Sequence, residues 1–76
     1  MIALTVYSRP GCHLCEQLIE ALLPMVRDRA TVTVVDIDTD PALKAVYDVR
    51  VPVLCQGDTL VCEAFIDPAA VEKLFT

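Results

Sequence analysis

Two cysteines separated by two residues stand between a short apolar run and a longer amphipathic run. Residues 2–7 are mostly apolar and predict a buried strand, whereas residues 13–27 predict a helix. A Pro-Gly turn joins the two runs, and Cys12 and Cys15 follow it directly. A Cys-x-x-Cys at such a strand-to-helix turn constrains the fold to a strand-helix-strand unit and is typical of a redox site.

The position of the motif explains why these cysteines suit redox chemistry. A helix N-terminus offers free backbone N–H groups and the positive end of the helix dipole. A thiolate there is stabilised, so the pKa of the thiol falls. We assign the nucleophile to Cys12 and the resolving thiol to Cys15, which lies three residues on and faces the same side of the first turn. The alternative is a pair of core cysteines, because cysteine often packs as a small hydrophobe; it leaves the turn and the preceding strand unexplained.

Length, composition and charge exclude several classes of function. The chain has 76 residues, which fits one domain over residues 1–76, and 55% of them are hydrophobic. The formal net charge is −5 and no basic cluster is present. We therefore expect neither nucleic acid nor an anionic membrane surface as a partner.

The start of the chain and the cysteine content indicate a compartment. The N-terminal apolar run is short and has no basic flank or cleavage site, so it predicts a strand rather than a signal peptide. No run approaches the roughly 20 apolar residues of a membrane span. Four cysteines without a signal suggest a reducing compartment, where thiols are more often catalytic or metal-binding than structural. We expect a cytoplasmic protein.

The rest of the pattern predicts the element order βαβαββα in a four-stranded mixed sheet flanked by helices, an α/β fold. Aspartate followed by proline predicts the start of the second and third helices. A turn at residues 56–59 predicts a hairpin. Besides the first strand and helix, the predicted strands are 31–37, 51–55 and 60–64 or 60–65, and the predicted helices are 41–47 and 68–75.

Helical spacing predicts which side chains face the core. Pro24 falls on the polar side of the first helix, where we expect a bend, a weak last turn and an end near residues 28–30. The predicted inward residues of the first helix are Cys15, Ile19, Leu22, Leu23 and Val26, with Leu14, Leu18, Ala21 and Met25 widening the face. Those of the second helix are Leu43, Val46 and Tyr47, and those of the third are Val71, Leu74 and Phe75.

Element order and motifs together resemble the glutaredoxin branch of the thioredoxin-like superfamily, in particular its short glutaredoxin-like proteins. Residues 7–12 (Tyr-Ser-Arg-Pro-Gly-Cys) look like the family's Tyr/Phe-Ser-Lys-Pro-x-Cys. Residues 35–38 look like the end of its second strand, and residues 50–52 (Arg-Val-Pro) look like its Thr-Val-Pro. The resemblance covers nearly the whole chain.

The resemblance implies a thiol–disulfide oxidoreductase and a set of binding residues. It implies that Pro52 is cis, that the Val51 backbone pairs with a thiol substrate, and that Arg9 takes the family's basic position, where it pairs with a substrate carboxylate. The expected partner is a disulfide-containing protein or glutathione. We expect no bound cofactor, with glutathione or a thioredoxin-type reductase as electron donor, and a monomer.

The sequence departs from the family pattern at two places. Its Cys-Pro-Tyr-Cys is Cys-His-Leu-Cys here, and a charged His13 would lower the pKa of Cys12 further, unless it only faces solvent. The Gly-Gly-x-Asp that holds the glutamyl end of glutathione is replaced by residues 62–67 (Cys-Glu-Ala-Phe-Ile-Asp), where Asp67 is expected to cap a helix. The sequence therefore predicts a weakened glutathione site.

The remaining cysteines leave a non-catalytic alternative open. We expect Cys55 opposite Leu60 and Cys62 diagonal to Cys55 on the same face, about 7–8 Å away, which favours two free thiols over a disulfide. A zinc site of four cysteines, an iron–sulfur cluster bridged between two copies, or a non-catalytic thioredoxin-fold module are alternatives, although these two cysteines do not form a second close pair. The single histidine argues against hydrolases.

Overall fold

The computed structural model describes all residues, 1–76, and has the predicted element order βαβαββα. Short 3₁₀ turns lie at Ile37–Thr39 and Asp48–Arg50. Asp40 and Asp67 cap the second and third helices through their side chains, as predicted. The elements are β1 (Ile2–Ser8), α1 (His13–Val26), β2 (Ala30–Asp36), α2 (Pro41–Tyr47), β3 (Val53–Gln56), β4 (Thr59–Glu63) and α3 (Pro68–Lys73).

The four strands form one mixed sheet in the order β2-β1-β3-β4. β1 pairs with β2 in parallel from Ile2–Ala30 to Ser8–Asp36, as a strand-helix-strand unit requires. β3 runs antiparallel to both β1 and β4. β1 is therefore one of the two central strands, and its carboxyl end leads directly to the cysteine motif.

The main core lies between one sheet face and the helices α1 and α3. Burying an aliphatic side chain fully contributes about 1.5–3 kcal/mol, so this cluster supplies much of the folding free energy of a small chain. Its seven buried residues are Leu4, Val6, Leu18, Leu22, Val26, Leu54 and Val71.

A second, smaller cluster lies against the cysteine motif. Cys15, Ile37 and Val51 are its buried members, and α2 contributes side chains that pack against it. On its outer side the rings of Tyr7 and Tyr47 stack, with centroids 4.4 Å apart. The other residues of β1 on the same sheet face as Tyr7 are only partly covered, because α2, which packs on this face, is only seven residues long.

α1 is shorter and narrower on its buried side than predicted. It ends at Val26 because Asp28 adopts a left-handed backbone (φ 63°), which stops the helix before residues 28–30. Pro24 lies inside the helix at an exposed position, as predicted. The inward prediction is wrong for Leu14 and Leu23, which are 38% and 48% exposed, and for Val46 of α2, which is 55% exposed.

The third strand begins at Val53 rather than at Val51. Pro52 has no N–H group to donate to a ladder, so regular pairing starts after it. The Val51–Pro52 peptide bond is cis, as the resemblance implied.

The hairpin between β3 and β4 turns through Gly57 and Asp58, with Gly57 at φ 59°. Cys55 pairs opposite Leu60, as predicted, and both Cys55 and Cys62 are free thiols. The prediction that they share a face is wrong, because a register shift at Leu54/Cys55 places Cys62 opposite Leu54. Cys62 packs against the main core, whereas Tyr47 and Arg50 lie near Cys55.

None of the three helices is long and apolar enough to cross a membrane.

Candidate active site

Cys12 stands at the N-cap of α1, and the turn before it holds the residue in place. The backbone N–H of Cys12 bonds to the carbonyl of Arg9 over 3.4 Å, which closes a turn with Pro10 and Gly11 at its centre. Gly11 has φ 74°, the conformation that glycine adopts most readily at the third position of such a turn. The Sγ atom of Cys12 accepts a hydrogen bond from the N–H of Cys15 over 3.1 Å. The sulfur thus serves as the helix cap.

Cys12 and Cys15 form a disulfide, with their Cα atoms 5.2 Å apart. Cys12 is half-buried and Cys15 is buried, so the two sulfurs differ in their access to solvent. Cys12 is therefore the more accessible of the two sulfurs. The sequence predicted this difference in exposure, and the division of roles between the two cysteines stays a prediction.

The loop before β3 meets the cysteine pair through Val51. Val51 packs in the same buried cluster as Cys15, and Cys12 contacts this cluster too. Pro52 is fully buried, and its carbonyl accepts a hydrogen bond from the N–H of Ala64 over 2.8 Å. The structure thus brings together both cysteines and this loop, as expected from the sequence.

Arg9 is held by two aspartates that the sequence did not connect with it. Its guanidinium lies 2.8 Å from Asp38 and 3.4 Å from the Asp48 carboxylate, and it also bonds to the Asp48 carbonyl. Hydrogen bonding and charge attraction to Asp38 raise the pKa of Arg9. Arg9 therefore links the turn before α1 to the segments at both ends of α2. The two aspartate carboxylates balance its positive charge.

His13 points into solvent at the start of α1. Its ring lies 3.7 Å from the carboxylate of Glu16, one turn along the helix, and 81% of its side chain is exposed. The ring contacts neither the main core nor the smaller cluster. Sequence reasoning placed it beside Cys12 but did not predict the partner that it has.

An ion pair between Arg50 and Glu63, which sequence reasoning missed, links β4 to the start of the proline loop, the segment that holds Val51 and Pro52. Arg50 precedes Val51 and bonds to Glu63 through Nε at 3.1 Å and through a terminal nitrogen at 3.3 Å. The Arg50 guanidinium also lies 5.5 Å from the centre of the Tyr47 ring. Hydrogen bonding to Arg50 lowers the pKa of Glu63. The only sequence signal was opposite charge at two positions flanking the hairpin.

The other two cysteines stand apart from this site. Burial raises the pKa of Cys55 and also that of Cys62. No group of three or more histidine, cysteine, aspartate or glutamate side chains converges in a way that would hold a metal ion. The arrangement is that of one dithiol pair with two separate thiols.

Comparison with known families identifies the chain. A model of the glutaredoxin-like domain (DUF836) matches residues 3–76. The chain belongs to the glutaredoxin-like family. Comparison with curated proteins gives no significant match to this glutaredoxin-like protein.

Solved structures place this glutaredoxin-like protein in the thioredoxin-like fold. The solution structure of protein Ne2328 from Nitrosomonas europaea is 34% identical, with a TM-score of 0.83 over 96% of this chain and 89% of that one. The X-ray structure of protein XcR50 from X. campestris is 36% identical, with a TM-score of 0.75 over 95% of this chain and 93% of that one. The germline-specific thioredoxin Deadhead of Drosophila melanogaster, 18% identical, shares the fold with a TM-score of 0.56 over 97% of this chain and 77% of that one.

Proposed function

We propose that this protein is a thiol–disulfide oxidoreductase in which Cys12 is the nucleophile and Cys15 the resolving thiol. The observation that carries this proposal is the position of Cys12 at the N-cap of α1, within disulfide reach of Cys15. Membership of the glutaredoxin-like family and the thioredoxin-like fold agree with it.

The reaction moves two electrons from the dithiol to a substrate disulfide. The Cys12 thiolate attacks one substrate sulfur, a new S–S bond forms, and the second substrate sulfur leaves as a thiolate that takes up a proton. The Cys15 thiolate then attacks Sγ of Cys12, which forms the Cys12–Cys15 disulfide and releases the first substrate sulfur as a thiol. A thiol reductant, either glutathione or a reductase, regenerates the dithiol by the reverse steps.

The protein contributes orientation and electrostatic stabilisation to these steps. The N–H of Cys15 and the helix dipole stabilise negative charge on the Cys12 sulfur. Val51, which packs beside the pair, and the buried Pro52 that follows it orient the incoming sulfur through the Val51 backbone. His13, when charged, adds to the stabilisation of the thiolate from the first turn of the helix. The acting species is a monomer in the cytoplasm, and the substrate is a disulfide-containing protein or glutathione.

A redox titration tests the proposal. The purified protein is equilibrated in glutathione buffers of graded potential, alkylated, and analysed by mass spectrometry with peptide mapping. We expect Cys12 and Cys15 to change together, with a midpoint between about −270 and −120 mV, the span of known dithiol oxidoreductases. Cys55 and Cys62 should stay reduced throughout. If Cys12 and Cys15 do not respond, the proposal is wrong, and stoichiometric zinc or iron in reduced protein would favour a metal-binding role instead.

A further inference from the structure

An apolar groove lies beside the cysteine pair, between α1 and the segment that links β4 to α3. Its volume is about 100 Å³. Sites for whole small molecules usually measure about 300–1,000 Å³, so this groove has the size for an amino-acid side chain rather than for a cofactor. The residues that line it are Leu14, Gln17, Leu18, Ala64, Phe65 and Ile66.

The groove borders the candidate active site. Leu14 is one of the two residues between Cys12 and Cys15 and lies on the first turn of α1. On the other wall, Ala64 donates its N–H to the carbonyl of Pro52. When a substrate polypeptide is disulfide-bonded to Cys12 and lies along the proline loop, a residue next to the substrate cysteine therefore contacts this groove.

The wall of the groove opposite α1 contains a strained backbone conformation at Ala64. Ala64 adopts φ 67°, and the N–H of Phe65 bonds to the carbonyl of Glu63 over 2.8 Å, which makes a tight three-residue turn around Ala64. Such turns are rare and strained for residues other than glycine, and strain of this kind concentrates where a site is held ready. The turn leaves the Phe65 side chain 68% exposed at the groove, although an aromatic ring gains most from burial.

Charge around the site argues against a small anionic disulfide. Asp38 and Asp48 already balance Arg9, the cation nearest the motif in sequence. Asp67 bonds to the N–H of Ala70 as the cap of α3, and the chain as a whole carries a net charge of −5. Oxidised glutathione has four carboxylates and two ammonium groups, so it approaches an acidic surface with a negative charge of its own. A neutral or basic polypeptide does not meet this repulsion.

We propose that the substrate is a disulfide in a neutral or basic polypeptide with a large apolar side chain next to the reacting cysteine, and that this side chain occupies the groove. The inference rests on the proposed function, since it names the substrate class of the same site. Phe65 and Leu14 then act as specificity residues: they contact the side chain of the substrate and take no part in electron transfer.

Single-turnover oxidation of the reduced full-length protein tests this inference. Four disulfides are compared: a capped peptide homodisulfide with Leu beside its cysteine, the same peptide with Ser in place of Leu, oxidised glutathione, and uncharged bis(2-hydroxyethyl) disulfide. The readout is the second-order rate of loss of two thiols, measured by alkylation and mass spectrometry. We expect the Leu peptide to react about tenfold faster than the Ser peptide, the lower end of what one apolar group in a pocket provides. It should also react faster than oxidised glutathione.

Variants connect the preference with the groove. Phe65→Ser should bring the ratio of the Leu-peptide rate to the Ser-peptide rate close to one, and the conservative Phe65→Leu should restore most of it. Val46→Ser is the matched control: Val46 is also apolar and exposed but lies on α2, away from the groove, so this variant should keep the ratio. A ratio that survives Phe65→Ser would overturn the assignment of the groove.

The design separates failure of the inference from failure of the proposed function. If bis(2-hydroxyethyl) disulfide oxidises the protein but the two peptides react equally, or oxidised glutathione reacts fastest, the substrate class is wrong and the oxidoreductase proposal stands. If none of the four disulfides oxidises Cys12 and Cys15, both proposals are wrong.

Discussion

The backbone N–H of Cys15 donates a hydrogen bond to the Sγ atom of Cys12 over 3.1 Å. This bond makes Cys12 the cap of α1 and keeps the two cysteines on one side of its first turn. Because the bond and the helix dipole both favour negative charge on sulfur, the same local geometry that starts the helix also suits Cys12 to the nucleophilic role that we propose.

The four thiols of the reduced protein should differ in their rate of alkylation. Burial raises the pKa of Cys55 and of Cys62, so little thiolate forms at either below the ordinary thiol pKa of about 8.5. At about pH 7 we expect iodoacetamide to modify Cys12 first, and to modify Cys62 before Cys55, which is the more buried of the two free thiols. Peptide mapping over a time course checks the order. Equal rates at all four cysteines would contradict the account of the site, and urea-unfolded protein supplies that equal-rate control.

Releasing Arg9 should improve the reaction with an anionic disulfide. In the Asp38→Asn, Asp48→Asn double variant the guanidinium loses both carboxylate partners. We expect the rate with oxidised glutathione to rise by about two- to tenfold, since exposed charges in water interact weakly. Adding Arg9→Gln to this background should remove the gain, and high salt should reduce it. A gain that persists without Arg9 would mean that lower negative charge alone, rather than the released cation, is responsible.

The pair of Arg50 and Glu63 should give stability that disappears in acid. Hydrogen bonding to Arg50 lowers the pKa of Glu63 in the folded state below its unfolded value of about 4.3. The unfolded state therefore binds more protons between these two pKa values. The contribution of the pair is present above about pH 4.3 and is lost as the pH falls through the folded-state pKa.

Urea denaturation at about pH 7, above the window, and at about pH 2, in strong acid, checks this sign. Glu63→Gln should lower the urea midpoint at the higher pH and leave it nearly unchanged at the lower one. Glu20→Gln, at an exposed position on α1, is the control and should change little at either pH. An equal loss at both pH values for Glu63→Gln would show that the side chain acts by packing rather than by charge.

Two neighbouring leucines of α1 should differ sharply in their effect on stability. Leu22 is completely buried in the main core, whereas Leu23 is 48% exposed. Leu22→Ala should lower the free energy of unfolding by about 2–5 kcal/mol, from lost burial and the cavity left behind. Leu23→Ala should lower it by less than about 1 kcal/mol. Chemical denaturation under reducing conditions measures both, and similar losses would contradict the orientation of α1.

The parts of this fold that local sequence rules determine were predictable. The Asp-Pro starts of α2 and α3, the two-residue hairpin turn and the helix start after Cys12 each rest on a short motif with a known backbone preference. The element order βαβαββα, on which the family resemblance partly rests, was also correct. Errors appeared where a single residue overrode a pattern: Asp28 ended α1 early, and the register shift at Leu54/Cys55 moved Cys62 to the other face.

The candidate site was predicted where the sequence is contiguous and missed where it depends on distant contacts. Cys12 and Cys15 came from the Cys-x-x-Cys motif, and the cis Val51–Pro52 bond came from the family resemblance. The partners of Arg9 lie 29 and 39 residues along the chain, and no local pattern indicates such pairing. The groove likewise depends on a strained turn at Ala64, which only a backbone conformation reveals.

Trapping of a mixed disulfide tests the central claim most directly. The reduced Cys15→Ser variant is mixed with a small disulfide and analysed by mass spectrometry without reductant, with Cys12→Ser as the matched control. The account predicts one stable adduct per chain, mapped to Cys12, in Cys15→Ser, and none at Cys15 in Cys12→Ser, because only the sulfur at the helix N-cap is both accessible and stabilised as a thiolate. An adduct at Cys15 or at Cys62 instead, with Cys12 left unmodified, would contradict it.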